Sequence, residues 1–175
     1  MLIKKENLAI RLANVNDAEV LAKWWNDGKV MAHAGFPNGL GITVDEVIES
    51  IEKNATVGGR LIIEIDGLPA GETNFRDKGN GIAEIGIKIC ETKEQDKGYG
   101  KILLSMLINH LFKELGFAKV ILDTNVKNLR AQSTYKKLGF KELRVNENSW
   151  QCQNGEWQSS IDYELVEANF INFAS

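Results

Sequence analysis

The stretch from Ile82 to Leu115 constrains this chain most, because it reads as a strand, a glycine loop and a buried helix in direct succession. Ile85, Ile87 and Ile89 alternate with Glu84, Gly86 and Lys88, the period-two pattern of a half-buried strand. Leu103, Leu104, Leu107, Ile108, Leu111, Phe112 and Leu115 recur at spacings of three and four, and Gly116 follows as a C-terminal stop. Between them lies Gln95-Asp96-Lys97-Gly98-Tyr99-Gly100. Its glycines permit torsions that other residues resist and let a ligand reach the main chain without meeting a Cβ atom. The helix that follows has unpaired N–H groups and the positive end of its dipole at this point, so a pyrophosphate is a natural occupant. Lys97 and Lys101 add countercharge.

Two familiar phosphate loops fail on named residues. The Walker pattern needs Ser or Thr after Gly-Lys, but Gly100-Lys101 is followed by Ile102; the dinucleotide pattern needs a third glycine where Leu103 stands. What remains, Gln-x-x-Gly-x-Gly between strand and helix, resembles the acetyl-coenzyme A signature of the GNAT superfamily of N-acetyltransferases. The block from Asn125 to Phe140 resembles that family's other motif, with Asn128, Ala131, Tyr135 and Leu138-Gly139-Phe140 at matching places. At the ends, the opening from Leu8 through Asp17 and the tail Asn154-Gly155-Glu156-Trp157, followed by Asp162-Tyr163-Glu164-Leu165, resemble the branch containing ribosomal-protein alanine acetyltransferases.

The resemblance spans nearly the whole chain and implies a mixed α/β GNAT fold. Its mostly antiparallel sheet of about six or seven strands is expected to be flanked by about four helices. A length of 175 residues suits a single domain over 1–175 with a proper core. Hydrophobic content of 43% and charged content of 26% exclude the disordered and fibrous classes. A net charge of −3 from 21 basic and 24 acidic residues gives no footprint for nucleic acid or an anionic membrane and mildly favours cationic acceptors. No apolar run approaches the ~18 residues of a membrane span. Met1-Leu2-Ile3-Lys4-Lys5 is followed by Glu6-Asn7 rather than an apolar region, so a cytoplasmic protein, monomer or homodimer, is expected. Cys90 and Cys152 lack metal-ligand spacing and suggest no disulfide framework, and no metal is expected.

In chain order, Leu8–Leu12 reads as a strand, and Asn16-Asp17-Ala18-Glu19 reads as a capping box before a helix striped by Ala18, Leu21, Ala22 and Trp25. Residues 28–41 hold four glycines without a sustained period and read as a loop. Thr43-x-x-Glu46 opens a helix with Val44, Val47, Ile48 and Ile51 facing inward. Leu61–Ile65 and Leu68–Phe75 form a hairpin about Asp66-Gly67, and Gly79-Asn80-Gly81 turns into the Ile82 strand. Strands are expected over Lys119–Asp123, Phe140–Val145 and Ser160–Leu165, with a short helix over 128–138.

Moving an acetyl group from a thioester to an amine needs a neutral nitrogen, a polarised carbonyl and a proton for the leaving thiolate. The Tyr135 phenol, with a reference pKa of about 10 against a thiol's about 8.5, can supply that proton. The resemblance makes it the general acid. Asn128 can cap the short helix through its side-chain oxygen, and the resemblance adds contact with the pantetheine arm. The resemblance further implies that Ile87, Lys88, Ile89 and Cys90 present main-chain N–H groups at a bulge, and that Gln95, Asp96, Lys97, Gly98, Tyr99, Gly100 and Lys101 hold the acetyl-coenzyme A co-substrate. Cys90 itself reads as a packing residue rather than a nucleophile. Asp96 departs from the family's pattern, in which the resemblance leads one to expect glycine, and puts negative charge beside the expected pyrophosphate. Glu84 can draw the ammonium proton, with Glu72 or a water as the alternative base. The amine is expected to meet His33 and Phe36 of the 28–41 loop beside the face carrying Glu84. Peptide N-termini, polyamines and other small amines all remain open as acceptors. A non-catalytic acyl-coenzyme A-binding module is the rival reading, disfavoured because it needs neither Tyr135 nor Asn128.

Overall fold

A computed structural model of the chain describes residues 1–54 and 59–175. Among the described residues, eight strands form one open sheet in the order β1-β2-β3-β4-β5-β6-β8-β7. They are β1 (Leu2–Lys5), β2 (Leu8–Leu12), β3 (Arg60–Ile65), β4 (Leu68–Asp77), β5 (Ile82–Ile89), β6 (Lys119–Asn125), β7 (Lys141–Gln151) and β8 (Trp157–Val166). Five α-helices accompany them among the described residues: α1 (Ala18–Asn26), α2 (Gly28–Met31), α3 (Val44–Asn54), α4 (Tyr99–Lys113) and α5 (Leu129–Leu138). The mixed α/β architecture with a mostly antiparallel sheet is the expected one, with more strands and helices than the sequence suggested. All neighbouring strands run antiparallel except β5 and β6.

The alternation along the strands separates two apolar cores. Leu61, Ile63, Ile65, Ala83, Ile85, Val120, Leu122, Ile161 and Tyr163 face α4 and α5, whose Leu103, Leu107, Leu111, Tyr135 and Leu138 complete the larger core. Each such fully buried side chain stabilises the fold by about 1.5–3 kcal/mol relative to an exposed one. Ile62 points the other way, into a smaller cluster with Leu21, Trp24 and Trp25 of α1 and Val47 and Ile51 of α3. Register carries this second face across the sheet: Ile62 pairs with Glu72, Glu72 with Lys88, Arg76 with Glu84, Glu84 with Ile121, and Asp123 with Asp162. Alternate residues share a face, so Glu84, Asp123 and Asp162 lie on the side of α1 and α3.

Several local expectations change. The capping box sits two residues earlier, with the Asn14 side chain accepting from Asn16 N and Asp17 Oδ2 accepting from Asn14 N at 2.9 Å. Residues 28–41 are only partly a loop, since Asp27 caps the one-turn helix α2 and a 3-10 turn spans Ala32–Ala34. Thr43 and Glu46 make the expected reciprocal cap, but Val44 in the first turn of α3 is exposed. The last two strands are longer than the sequence suggested, and their hairpin reaches back over the start of the chain. At its tip Gln153 N donates to Gly35 O at 2.7 Å and Gln153 Nε2 to Gly39 O at 2.9 Å, while Asn38 N donates to Gln153 Oε1 at 3.0 Å. Trp150 lies so close to Gly35 that a Cβ there would sit 2.4 Å from the indole.

Candidate active site

The sheet opens where its one parallel pair stops. β5 and β6 are joined only through Ile82↔Lys119, Ala83↔Val120 and Glu84↔Ile121, after which β5 runs on to Ile89 and β6 to Asn125 without pairing. Cys90 N donates to Ala70 O on β4, so by alternation the N–H groups of Ile87 and Ile89 point away from β4, into the opening. The Ile89 carbonyl agrees with this, since it accepts from Gln95 Nε2 at 2.9 Å. The β4–β5 register is continuous from Gly71↔Ile89 to Asp77↔Ala83, and just beyond it Cys90 N and Glu91 N both donate to Ala70 O, at 2.9 and 3.0 Å, the double donation of a bulge at the end of β5 where it diverges from β6.

A cleft of about 910 Å³ occupies this opening. On the α4 and α5 side it is lined by Gln95, Asp96, Gly98, Tyr99, Gly100 and Lys101, together with Asn128, Arg130 and Tyr135. Ile87, Lys88 and Ile89 form its floor, and His33 with Lys29 borders it from the α2 segment. Gly98 is the N-cap of α4 with φ +80°, and a Cβ on it would meet nothing within 4 Å. The space a Gly98 side chain would enter is thus empty, and Gly98, Tyr99, Gly100 and Lys101 bring the start of α4 to the cleft, where a helix N-terminus favours an anion. Gln95 has a structural share in the loop through its bond to Ile89. Asp96 pairs with Arg130 at 2.9 Å, which offsets its negative charge. Asn128 accepts from Ala131 N at 3.2 Å, so its side chain caps α5 while the residue lines the cleft.

Tyr135 packs edgewise on Tyr163 and tilted on Phe140, which fixes its ring against the larger core. Burial raises its phenol above the ordinary tyrosine value, and the Asp123 and Tyr163 neighbourhoods add to the rise, so it holds its proton at neutral pH. Tyr163 buries a hydroxyl that has no hydrogen-bond partner among the described residues.

Five of the residues expected at the site lie elsewhere. Cys90 is buried, and burial with the Glu72 charge pushes its thiol up to about 12, which leaves it inert as a nucleophile. Lys97 turns to Glu94 at 3.0 Å. Phe36 packs with the α1 and α3 cluster. Glu72 is a buried tie, accepting from Trp25 Nε1 at 3.0 Å, paired with Arg60 and lying 3.6 Å from Lys88 Nζ. Glu84 is held by Lys78 at 2.9 Å and does not line the cleft. Asp123, Asn125, Trp150 and Ser160 line it instead without having been anticipated. Asp123 ends an apolar run, where a sequence offers only a strand terminus; its place follows from the divergence of β5 and β6.

A family model described as an acetyltransferase (GNAT) domain matches residues 7–141. Among solved structures, a GNAT-family acetyltransferase from Bacillus anthracis superposes with a TM-score of 0.82 at 22% identity, over 96% of this chain and 99% of that one. A spermidine N-acetyltransferase from Vibrio cholerae, in complex with CoA and spermine, gives 0.84 at 20% identity over 96% and 100%. RimL, a ribosomal L7/L12 alpha-N-protein acetyltransferase in complex with coenzyme A, gives 0.84 at 16% identity over 100% of both chains. A search of curated protein sequences found no match.

Proposed function

Because the chain belongs to the GNAT family of acetyltransferases, we propose that it moves an acetyl group from acetyl-coenzyme A to a primary amine, either a peptide N-terminus or a polyamine or other small amine. One observation carries the reading: the divergence of β5 and β6 puts unpaired strand N–H groups, the glycine-led start of α4 and the Tyr135 phenol around one cleft. The open space before Gly98 suits the pyrophosphate of the co-substrate, with Gly98, Tyr99, Gly100 and Lys101 as its holders. Ile87 and Ile89 present their N–H groups to the pantetheine arm and the acetyl oxygen, and Asn128 borders the same path. Acetyl-coenzyme A supplies the activated acetyl group when bound. Tyr135, protonated at neutral pH and buried at the base of the cleft, gives its proton to the departing sulfur. The amine enters from the opposite face, between the α2 segment with His33 and the β7–β8 hairpin. Neighbours that carry spermine in one case and modify a protein N-terminus in the other support an amine acceptor without choosing between them. The chain acts as one domain, in the cytoplasm, and both cysteines are free.

The test is release of thiol from acetyl-coenzyme A across a panel of peptide N-termini, polyamines and aminoglycosides. Tyr135→Phe should lower kcat by ~10²–10⁴ while coenzyme A affinity, measured by calorimetry, stays unchanged. Unchanged kcat with chemistry rate-limiting returns Tyr135 to a packing role. Coenzyme A binding with no turnover of any amine replaces the enzyme reading with the binding-module one.

A further inference from the structure

After β8 the chain turns through Glu167–Asn169, and the 170–175 segment packs back against the α4 side of the larger core through Phe170, Phe173 and Ala174, while Ile171 between them is exposed. Three ties fix its path. Phe170 packs edgewise on Phe112 with ring centroids 5.9 Å apart, Ile171 N donates to Leu138 O at 3.0 Å, and Phe173 N donates to Ser105 Oγ at 3.0 Å. Ser105 is fully buried in α4, so this last bond is shielded from water and costly to break. Ser105 and Lys101 are four residues apart on α4 and share one face. The main chain of Phe173 is thus anchored at Ser105, and its ring lies under the Lys101 ammonium with Nζ 4.7 Å from the ring centroid, a cation–π distance. The two lysines of the glycine loop differ in the kind of partner they have. Lys97 is neutralised by Glu94, whereas Lys101 lines the cleft, has no carboxylate partner among the described residues and rests on a ring. A ring orders an ammonium without cancelling its charge, so Lys101 keeps its attraction for an anion arriving at the start of α4.

We propose that Phe173 is a positioning residue for the acetyl donor: anchored on Ser105, it holds the Lys101 ammonium at the cleft, so that the donor's phosphates meet a charge already in place. This rests on the acetyl-coenzyme A reading above. A lysine free in solvent samples many rotamers, and immobilising it when a ligand binds subtracts from the affinity. Held on the Phe173 ring, Lys101 is ordered during folding instead, and the whole of its attraction is left for the phosphate. The donor side of the cleft therefore includes a residue beyond β8, far along the chain from the glycine loop it serves.

The test is calorimetry of coenzyme A binding, at fixed ionic strength, to wild type, Phe173→Leu, Lys101→Met and the double variant. Leucine keeps the apolar packing and the main-chain bond to Ser105 and removes only the ring. Phe173→Leu should weaken coenzyme A binding by about 2- to 10-fold, the effect of ordering one long side chain on binding, and Lys101→Met by roughly 10- to 150-fold, the effect of losing a charged partner. The double variant should bind no more weakly than Lys101→Met alone, because the ring acts only through the ammonium. In wild type the Lys101 Hε protons should resonate upfield through the ring current of Phe173, a displacement that vanishes in Phe173→Leu. Unchanged affinity in Phe173→Leu, a loss that persists undiminished in the Lys101→Met background, or undisplaced Lys101 resonances in wild type would overturn the proposal. If wild type binds no coenzyme A, the donor reading fails, and inorganic pyrophosphate then decides about Phe173. Pyrophosphate binding weakened by Phe173→Leu supports the positioning role, and binding unaffected by it or absent in wild type refutes it.

Discussion

Replacing Gly98 by Ala separates the backbone cost of the glycine loop from its service to the ligand. Gly98 has φ +80° and open space where a Cβ would go, so the folded protein meets torsional strain there without a clash. An L-residue in this conformation costs about 1–2 kcal/mol, which for a chain of this size lowers Tm by roughly 2–8 °C. Gly67, in the β3–β4 turn, has φ +77° and equally empty surroundings, and it does not line the cleft. Gly67→Ala is therefore a matched control with a similar drop in Tm. The two must differ in coenzyme A binding. A methyl group in front of the α4 N-terminus displaces the phosphate from at least one N–H donor, and a hydrogen bond to a charged group is worth about 1.5–3 kcal/mol. Coenzyme A affinity should fall roughly 10- to 150-fold in Gly98→Ala and stay unchanged in Gly67→Ala, measured by isothermal calorimetry at fixed ionic strength. Gly98→Ala protein that loses stability yet binds coenzyme A as tightly as wild type would refute the phosphate placement.

Two further outcomes follow from the ion pairs. Glu72→Gln should destabilise by about 1–3 kcal/mol in urea unfolding, because Arg60 and Lys88 lose their shared carboxylate, while kcat for a productive amine stays near wild type; a large kcat loss at unchanged stability would instead make Glu72 a participant in the reaction. Burial alone would raise the Asp17 carboxyl, but the bidentate Arg11 guanidinium at 2.8 Å and the Asn14 N–H hold it below the ordinary value. Its stabilisation is thus complete at neutral pH and lost as acid protonates it below about pH 4, so Asp17→Asn should cost about 1–3 kcal/mol at pH 7 and progressively less in acid, as read from Tm against pH.

The parts legible in the sequence were those whose periodicity or turn chemistry is local. The Ile82 strand, the Gly98 loop, the α4 stripe and the Asp66-Gly67 hairpin, with positive φ at both turn residues, needed no distant partner to be read. The β1 strand escaped because Leu2–Lys5 is a short edge with no buried residue to mark a face. The second half of β7 escaped because Asn146 to Ser149 carries polar side chains on both faces of an exposed edge, which erases alternation. α2 is a single turn begun by Asp27 and Gly28, a pair that equally announces a loop. At the site, Tyr135 and the glycine loop were visible through motif spacing. The acidic residues were harder to sort, since Glu72, Glu84 and Asp123 differ only in their partners, and partners are set by sheet register. Nothing in the composition distinguishes a carboxylate tied to Trp25 and Arg60 from one left beside another aspartate.

The grip of Gln153 on Gly35, Asn38 and Gly39 gives the two sides of the cleft different histories along the chain. The side proposed for the acetyl donor is continuous from Ile82 to Tyr135 and assembles from near neighbours. The side proposed for the amine forms only once the 33–39 segment has met the hairpin tip at Gln153. Closing so long a loop is entropically costly and comes late in folding. On the proposed reading, exchanging the hairpin tip together with the 33–39 segment changes which amine is admitted while the half from Ile82 to Tyr135 stays as it is.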